Sequence, residues 1–242
     1  MKFPALGFLA FAILSLAAGT ATAKCSDPPD QSVDWRKCDK TGIDLHGARL
    51  QGARLGETVF TRANLAHADL SNADLYATTL YEADLAGANF DTARMRGAAL
   101  SSANVSGANF AKADMGRSIL MKANASAANF TDARLRASVL ADANLSKAVL
   151  VNVDLAGANL TQAGMTGANL SGADLTGADL AGADLRGAQL TGAVLTEANL
   201  VGVDLRKAKL GKADLTGASL IGAVWVDGRR CGPSSVGRCV IE

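Results

Sequence analysis

Residues 166–190 read Thr-Gly-Ala-Asn-Leu, Ser-Gly-Ala-Asp-Leu, Thr-Gly-Ala-Asp-Leu, Ala-Gly-Ala-Asp-Leu, Arg-Gly-Ala-Gln-Leu. One five-residue unit is repeated with small edits, and repeats of this kind decide a fold before any other feature does. Every fifth position from Leu45 to Trp225 carries the same role without insertion or deletion, making 37 centres. Leucine fills 27 of them, Phe four and Met three, with Val105, Ala125 and Trp225 completing the set. Alanine stands two residues before the centre in 30 of the 37 repeats. In an α-helix, leucines five apart would wander around every face rather than form a stripe. A straight strand would send them alternately to opposite faces. The backbone must therefore turn once per repeat and bring Leu and Ala inward each time, which is an all-β solenoid.

The exceptions set the size of a coil. The inner Ala gives way to Thr58, Thr78, Ser118 and Ser138, all separated by multiples of twenty, and Phe90, Phe110 and Phe130 are also twenty apart. Four repeats per coil, stacked at about 4.8 Å, put both sets into vertical columns. Fifteen or twenty-five residues per coil would scatter them. The Phe column is too bulky for the common lattice, and the preceding centre shrinks to Val105 and Ala125 in the same coils, as volume compensation in a close-packed core requires. The hydroxyl column is expected to bond backbone carbonyls internally. Glycine recurs two residues after the centre, where a sharp corner suits a residue without a side chain.

This pattern resembles the pentapeptide-repeat family over residues 43–227. The resemblance implies a right-handed quadrilateral parallel β-helix of about nine coils, with the central Leu or Phe and the small residue two before it pointing inward. At the usual spacing that is a rod roughly 44 Å long. The best-known members of the family imitate DNA with acidic columns and bind gyrase. This sequence is a poor match to that role.

Residues 1–23 read as a signal peptide: Lys2, an apolar core over 5–18 that is too short to span a bilayer, then Ala21-Thr22-Ala23 as a cleavage site. Lys24 before Cys25 argues against lipidation. Export to the periplasm or beyond is expected. Removing residues 1–23 takes away one lysine and no acid, so 23 basic residues face 23 acidic ones. A neutral exported rod has neither the charge nor the address of a DNA mimic, and nucleic acid is not an expected partner.

Residues 24–42, with Cys25, Trp35 and Cys38, read as an N-terminal cap, and residues 228–242, with Cys231 and Cys239, as a C-terminal cap or tail. Four cysteines allow three pairings. The two caps lie a rod apart, whereas a disulfide needs Cα atoms within about 7 Å. Within one chain this leaves Cys25–Cys38 and Cys231–Cys239, bridges in keeping with an oxidising compartment. No zinc spacing is present, and no metal or other cofactor is expected.

The outward positions offer two surfaces. Before the centre, one column alternates Arg54, Asp74, Arg94, Asp114, Arg134, Asp154, a stabilising order where like charges would repel. Arg96, Arg117 and Arg136 share that face with Arg94 and Arg134. A solvated face is the simpler account of this basic patch, and an anionic polysaccharide or lipid surface the sharper one. On a neighbouring face the position before the centre reads Val59, Thr79, Ala99, Ile119, Val139 in place of Asp or Asn. Met121 follows its centre there, and Val149 and Val151 are expected on the adjoining side. An outward apolar stripe suits a protein interface or self-association as a homodimer, although β-branched residues also suit exposed strands. Catalysis finds no support. His46 and His67 are the only histidines, on a convex face near Asp44 and Asp69, and no nucleophile–base set or phosphate loop occurs. The expected function is that of a non-catalytic exported interaction or scaffold protein.

Overall fold

The computed structural model describes residues 24–241; the expected signal peptide lies outside them. The chain is a parallel β-solenoid in which each residue before a centre bridges the residue twenty positions on, from Asp34↔Arg54 to Asp204↔Val224. Four turns therefore make one coil. From Leu45 onward the four faces are centred on Leu45, Leu50, Leu55 and Phe60, and each recurs every twenty residues.

Each corner is a tight turn. The N–H of the residue three after a centre donates to the centre's carbonyl, as Ala48 does to Leu45 at 3.0 Å. The residue two after the centre takes a left-handed φ, as in Gly47 (64°), Arg117 (58°) and Ala137 (52°). These are the marks of a type II turn. Glycine is frequent there because of this conformation, and space adds a second demand at Gly87, whose Cβ would lie 2.6 Å from Nδ1 of His67.

Centres and inner alanines are buried through the body of the rod, while Ala48 near one end and Leu210, Ala213, Leu215 and Trp225 near the other are only partly so. Phe90 and Phe110 stack with ring centroids 4.8 Å apart, and Phe110 and Phe130 at 5.0 Å, both nearly parallel. Val105 and Ala125 are buried beside them. The hydroxyl column is also buried, but it is not a uniform ladder. Thr58 donates to the Trp35 carbonyl (2.5 Å) and Thr78 to Leu55 (2.9 Å), one coil back. Ser138 turns to Leu135 in its own corner (2.6 Å), and the Ser118 hydroxyl has no partner among the described residues. Serine has no methyl to fix its rotamer, so the two serines leave the pattern that the threonines keep.

The regular coil begins half a turn earlier than the leucine pattern. Asp34 and Asp39 already bridge to the next coil, with Trp35 and Lys40 at centre positions and Val33 and Cys38 in the small-residue place. Trp35 is fully buried, donates from Nε1 to the Asp27 carbonyl and tilts against Phe60. Lys40 lies 3.8 Å from the Trp35 ring centroid and donates from Nζ to the Cys25 carbonyl. At the other end the chain reverses after Trp225. Residues 228–241 add antiparallel bridges Val224↔Arg230, Ser219↔Val236 and Cys231↔Ile241. Ordinary edge pairing with a neighbouring coil is thereby blocked on two faces of that end.

Candidate functional site

Two outward faces carry the candidate residues, and a single local bond explains why they stand out. An Asp or Asn before a centre accepts the N–H of the residue after it: Asn159 from Thr161 (3.0 Å), Asp179 from Ala181 (3.1 Å), Asn199 from Val201 (3.2 Å). The coil ladder leaves that N–H unused, so the side chain caps it. Val59, Thr79, Ala99, Ile119 and Val139 form one bridged column on the fourth face, and none of them makes this bond. Accordingly the N–H groups of Thr61, Tyr81, Ser101, Met121 and Ala141 have no protein partner among the described residues. Ile119 and Met121 are 39% and 41% exposed, while Val59 and Val139 are half-buried. Tyr81, 40% exposed, stands in the column of Met121 and extends the apolar area. It went unread in the sequence, although its place directly after the centre Leu80 puts it on the same face.

Val149 and Val151 do not join this stripe. Val149 bridges Asn129 and Asn169 on the second face. Ten residues after Val139 is half a coil, so the two valines lie across the rod from Ile119 and not on an adjoining side.

On the third face the charged column stacks as read, Asp34 through Arg54, Asp74, Arg94, Asp114 and Arg134 to Asp154. The ion pairs run differently. Arg96 reaches Asp114 (3.6 Å), and Arg136 reaches Asp154 (2.6 Å) and Asp174 (3.6 Å). These arginines stand after the centre rather than before it. Within the column itself only Arg54–Asp34 (3.9 Å) falls inside ion-pair distance among the described residues. All are solvent-facing pairs that contribute little individually. Arg96, Arg117, Arg134 and Arg136 surround one groove, while Arg94 lies one coil before Asp114, outside its lining.

The pentapeptide-repeat family model matches the chain in eight overlapping copies, from residues 43–80 to residues 198–224. The chain belongs to the pentapeptide-repeat family. Among solved pentapeptide-repeat structures it is similar to HetL of the cyanobacterium Nostoc sp. strain PCC 7120, a protein involved in heterocyst differentiation regulation. Identity is 33% over 83% of this chain and 92% of HetL, with a TM-score of 0.40. It is also similar to trypsin-treated QnrB1, a plasmid-mediated fluoroquinolone resistance protein, at 24% identity over 80% of this chain and 89% of that one (TM-score 0.41). A pentapeptide repeat protein of the Arabidopsis thaliana thylakoid lumen is 24% identical over 60% of this chain and 85% of its own (TM-score 0.16). Among curated proteins none matches.

This pentapeptide-repeat protein carries a disulfide at each end, Cys25–Cys38 and Cys231–Cys239, with Cα separations of 5.5 and 5.0 Å. Both bridges suit an oxidising compartment. His46 and His67 meet edge to face at 5.5 Å, and both are exposed. Among the described residues no cluster of three His, Cys, Asp or Glu side chains could hold a metal ion. No helix among them is long and apolar enough to cross a membrane.

Proposed function

We propose that this chain is an exported, non-catalytic interaction rod, wound as a right-handed four-sided coil, whose fourth face around Ile119 and Met121 is a protein contact surface. One observation carries the reading. From Val59 to Val139 that face gives up the Asp or Asn cap in five successive coils, and it regains the cap at Asn159, Asp179 and Asn199. A typical intramolecular hydrogen bond contributes about 0.5–1.5 kcal/mol, so forgoing five of them is a considerable loss for a surface that only faces water. A second copy or a partner protein laid on the stripe would cover the apolar side chains. It could also accept from the five uncapped N–H groups, as in edge-strand recognition. The leader-like residues 1–23 and the two terminal disulfides support export. The test is the double variant Ile119→Asp/Val139→Asp. Both side chains point outward, so circular dichroism should be unchanged, while self-association by light scattering and partner capture from the exported fraction should be lost. Unchanged mass and unchanged partners would reduce the stripe to strand packing.

A further inference from the structure

We propose that the third face carries a binding site for a phosphate group in the groove at Gly116. In the column after the centre, Arg96, Gly116 and Arg136 follow one another in successive coils. Gly116 does not have a left-handed φ, so its turn does not require glycine. A Cβ there would meet nothing closer than Asp114 Oδ1 at 3.5 Å, so packing does not require it either. The glycine is buried under Arg96, whose guanidinium carbon lies 3.8 Å from where a Cβ would be, and Arg136 follows one coil on, so the arginines two coils, or about 10 Å, apart close over it. The resulting groove has a volume of about 470 Å³ and is walled by Arg96, Arg117, Arg134 and Arg136 with Asp114 and Asp154.

Among the lining residues four positive charges face two negative ones, and Asp174, which Arg136 also reaches at 3.6 Å, lies just beyond the lining and lowers the surplus to one. The carboxylates are already committed, Asp114 to Arg96 and Asp154 to Arg136. Arg117 and Arg134 lie within ion-pair distance of no carboxylate among the described residues. The backbone adds donors. Asp114 accepts the Gly116 N–H (3.3 Å) and Asp154 that of Ala156 (3.2 Å). Arg94 and Arg134 occupy the capping position in the intervening coils and cannot accept, so the N–H groups of Arg96 and Arg136 have no protein partner among the described residues. By the coil repeat, those two groups flank the Gly116 N–H on either side. The two unused N–H groups are about 10 Å apart, so one phosphate reaches one of them, and that N–H with the uncommitted guanidiniums makes an oxyanion site. A phosphate dianion matches the two unpaired guanidiniums of Arg117 and Arg134, whose forks suit phosphate geometry. A solvated arginine face accounts for exposed side chains. It does not account for a groove that brings two unpaired guanidiniums together with an uncapped backbone N–H.

This site is on the third face and the contact stripe on the fourth, so either can fail without the other. The test is a titration of the folded, disulfide-bonded, ¹⁵N-labelled protein with sodium orthophosphate against a sodium chloride control at low ionic strength. The amide signals of Arg96, Gly116, Arg117 and Arg136 should shift and saturate with phosphate. Affinity should fall at least tenfold in Arg117→Ala/Arg134→Ala. It should also be lost in Gly116→Glu, which keeps every arginine but puts a carboxylate in the groove. Arg229→Ala, in the C-terminal tail, should bind like the parent. Glycerol 3-phosphate distinguishes the source: binding as tight as that of orthophosphate assigns a phosphate monoester, and binding of orthophosphate alone assigns the free ion. Shifts that fail to saturate, or that persist unchanged in both site variants with folding confirmed by circular dichroism, would overturn the proposal.

Discussion

Replacing Ala125 and Phe130 by leucine, singly and together, asks whether the core compensates volume between adjacent faces. Phe130 stacks on Phe110 at 5.0 Å, and both Phe130 and Ala125 are buried. Phe130→Leu removes about three buried carbons at about 0.8 kcal/mol each and one stacked pair worth about 0.5–1.5 kcal/mol, together about 3 kcal/mol. Ala125→Leu pushes three carbons into space that Phe130 occupies, and overpacking of that kind costs about 1–3 kcal/mol. The double variant restores the Leu-Leu pair found at Leu65/Leu70 and Leu185/Leu190. Only the lost stack should then remain, about 1 kcal/mol. The two changes should therefore couple favourably by about 3–5 kcal/mol. Urea unfolding of the four proteins, followed by circular dichroism with the disulfides intact, gives the cycle directly. Additivity within about 0.5 kcal/mol would mean that the two side chains do not share one space and that the core does not compensate volume there.

Two further outcomes follow from the corners and from the surface carboxylates. Ala137 holds a left-handed φ of 52° that glycine adopts freely. Ala137→Gly should therefore raise stability by up to about 1 kcal/mol, net of the greater chain entropy of glycine when unfolded; a lower urea midpoint would contradict the strain. The Arg186 guanidinium, by its hydrogen bonds, holds the Asp184 carboxyl down from 3.8 to about 2, and Arg36 and Arg206 depress Asp34 and Asp204 in the same direction. A carboxyl whose pKa is lower when folded stabilises the fold fully above its ordinary value and loses that contribution as pH falls toward the folded one. The melting temperature should thus stay level from neutral pH to about 4 and drop between about 4 and 2; a drop that is complete above pH 4 would contradict the assignment.

The fold was legible because its defects are periodic. Thr58, Thr78, Ser118 and Ser138, with the three phenylalanines, mark a twenty-residue coil that a uniform leucine lattice would have hidden, and the bridges follow that spacing. The start of the coil was hidden for the opposite reason. Around Trp35 and Lys40 neither Leu nor Ala survives, and a lysine at a centre position reads as a break. The chain tolerates it because the amine turns onto the Trp35 ring and the Cys25 carbonyl. Val149 lies half a coil from Val139, across the rod, and the same twenty-residue register already implies that position. The cap made by Asp and Asn was not visible as a bond. Composition showed only that these residues precede the centre, while the geometry shows which N–H groups go uncapped when they are absent. That difference separates two faces worth testing from a uniformly solvated rod.

The most direct test of the contact surface is site-specific photocrosslinking in the exporting cell, with a photoreactive side chain at Ile119 and, as control, at Asp179 on the same face three coils on. A discrete covalent adduct from position 119, of dimer mass or to one other protein, with none from position 179, is the predicted result. No adduct at 119, or equal adducts at both positions, would contradict it.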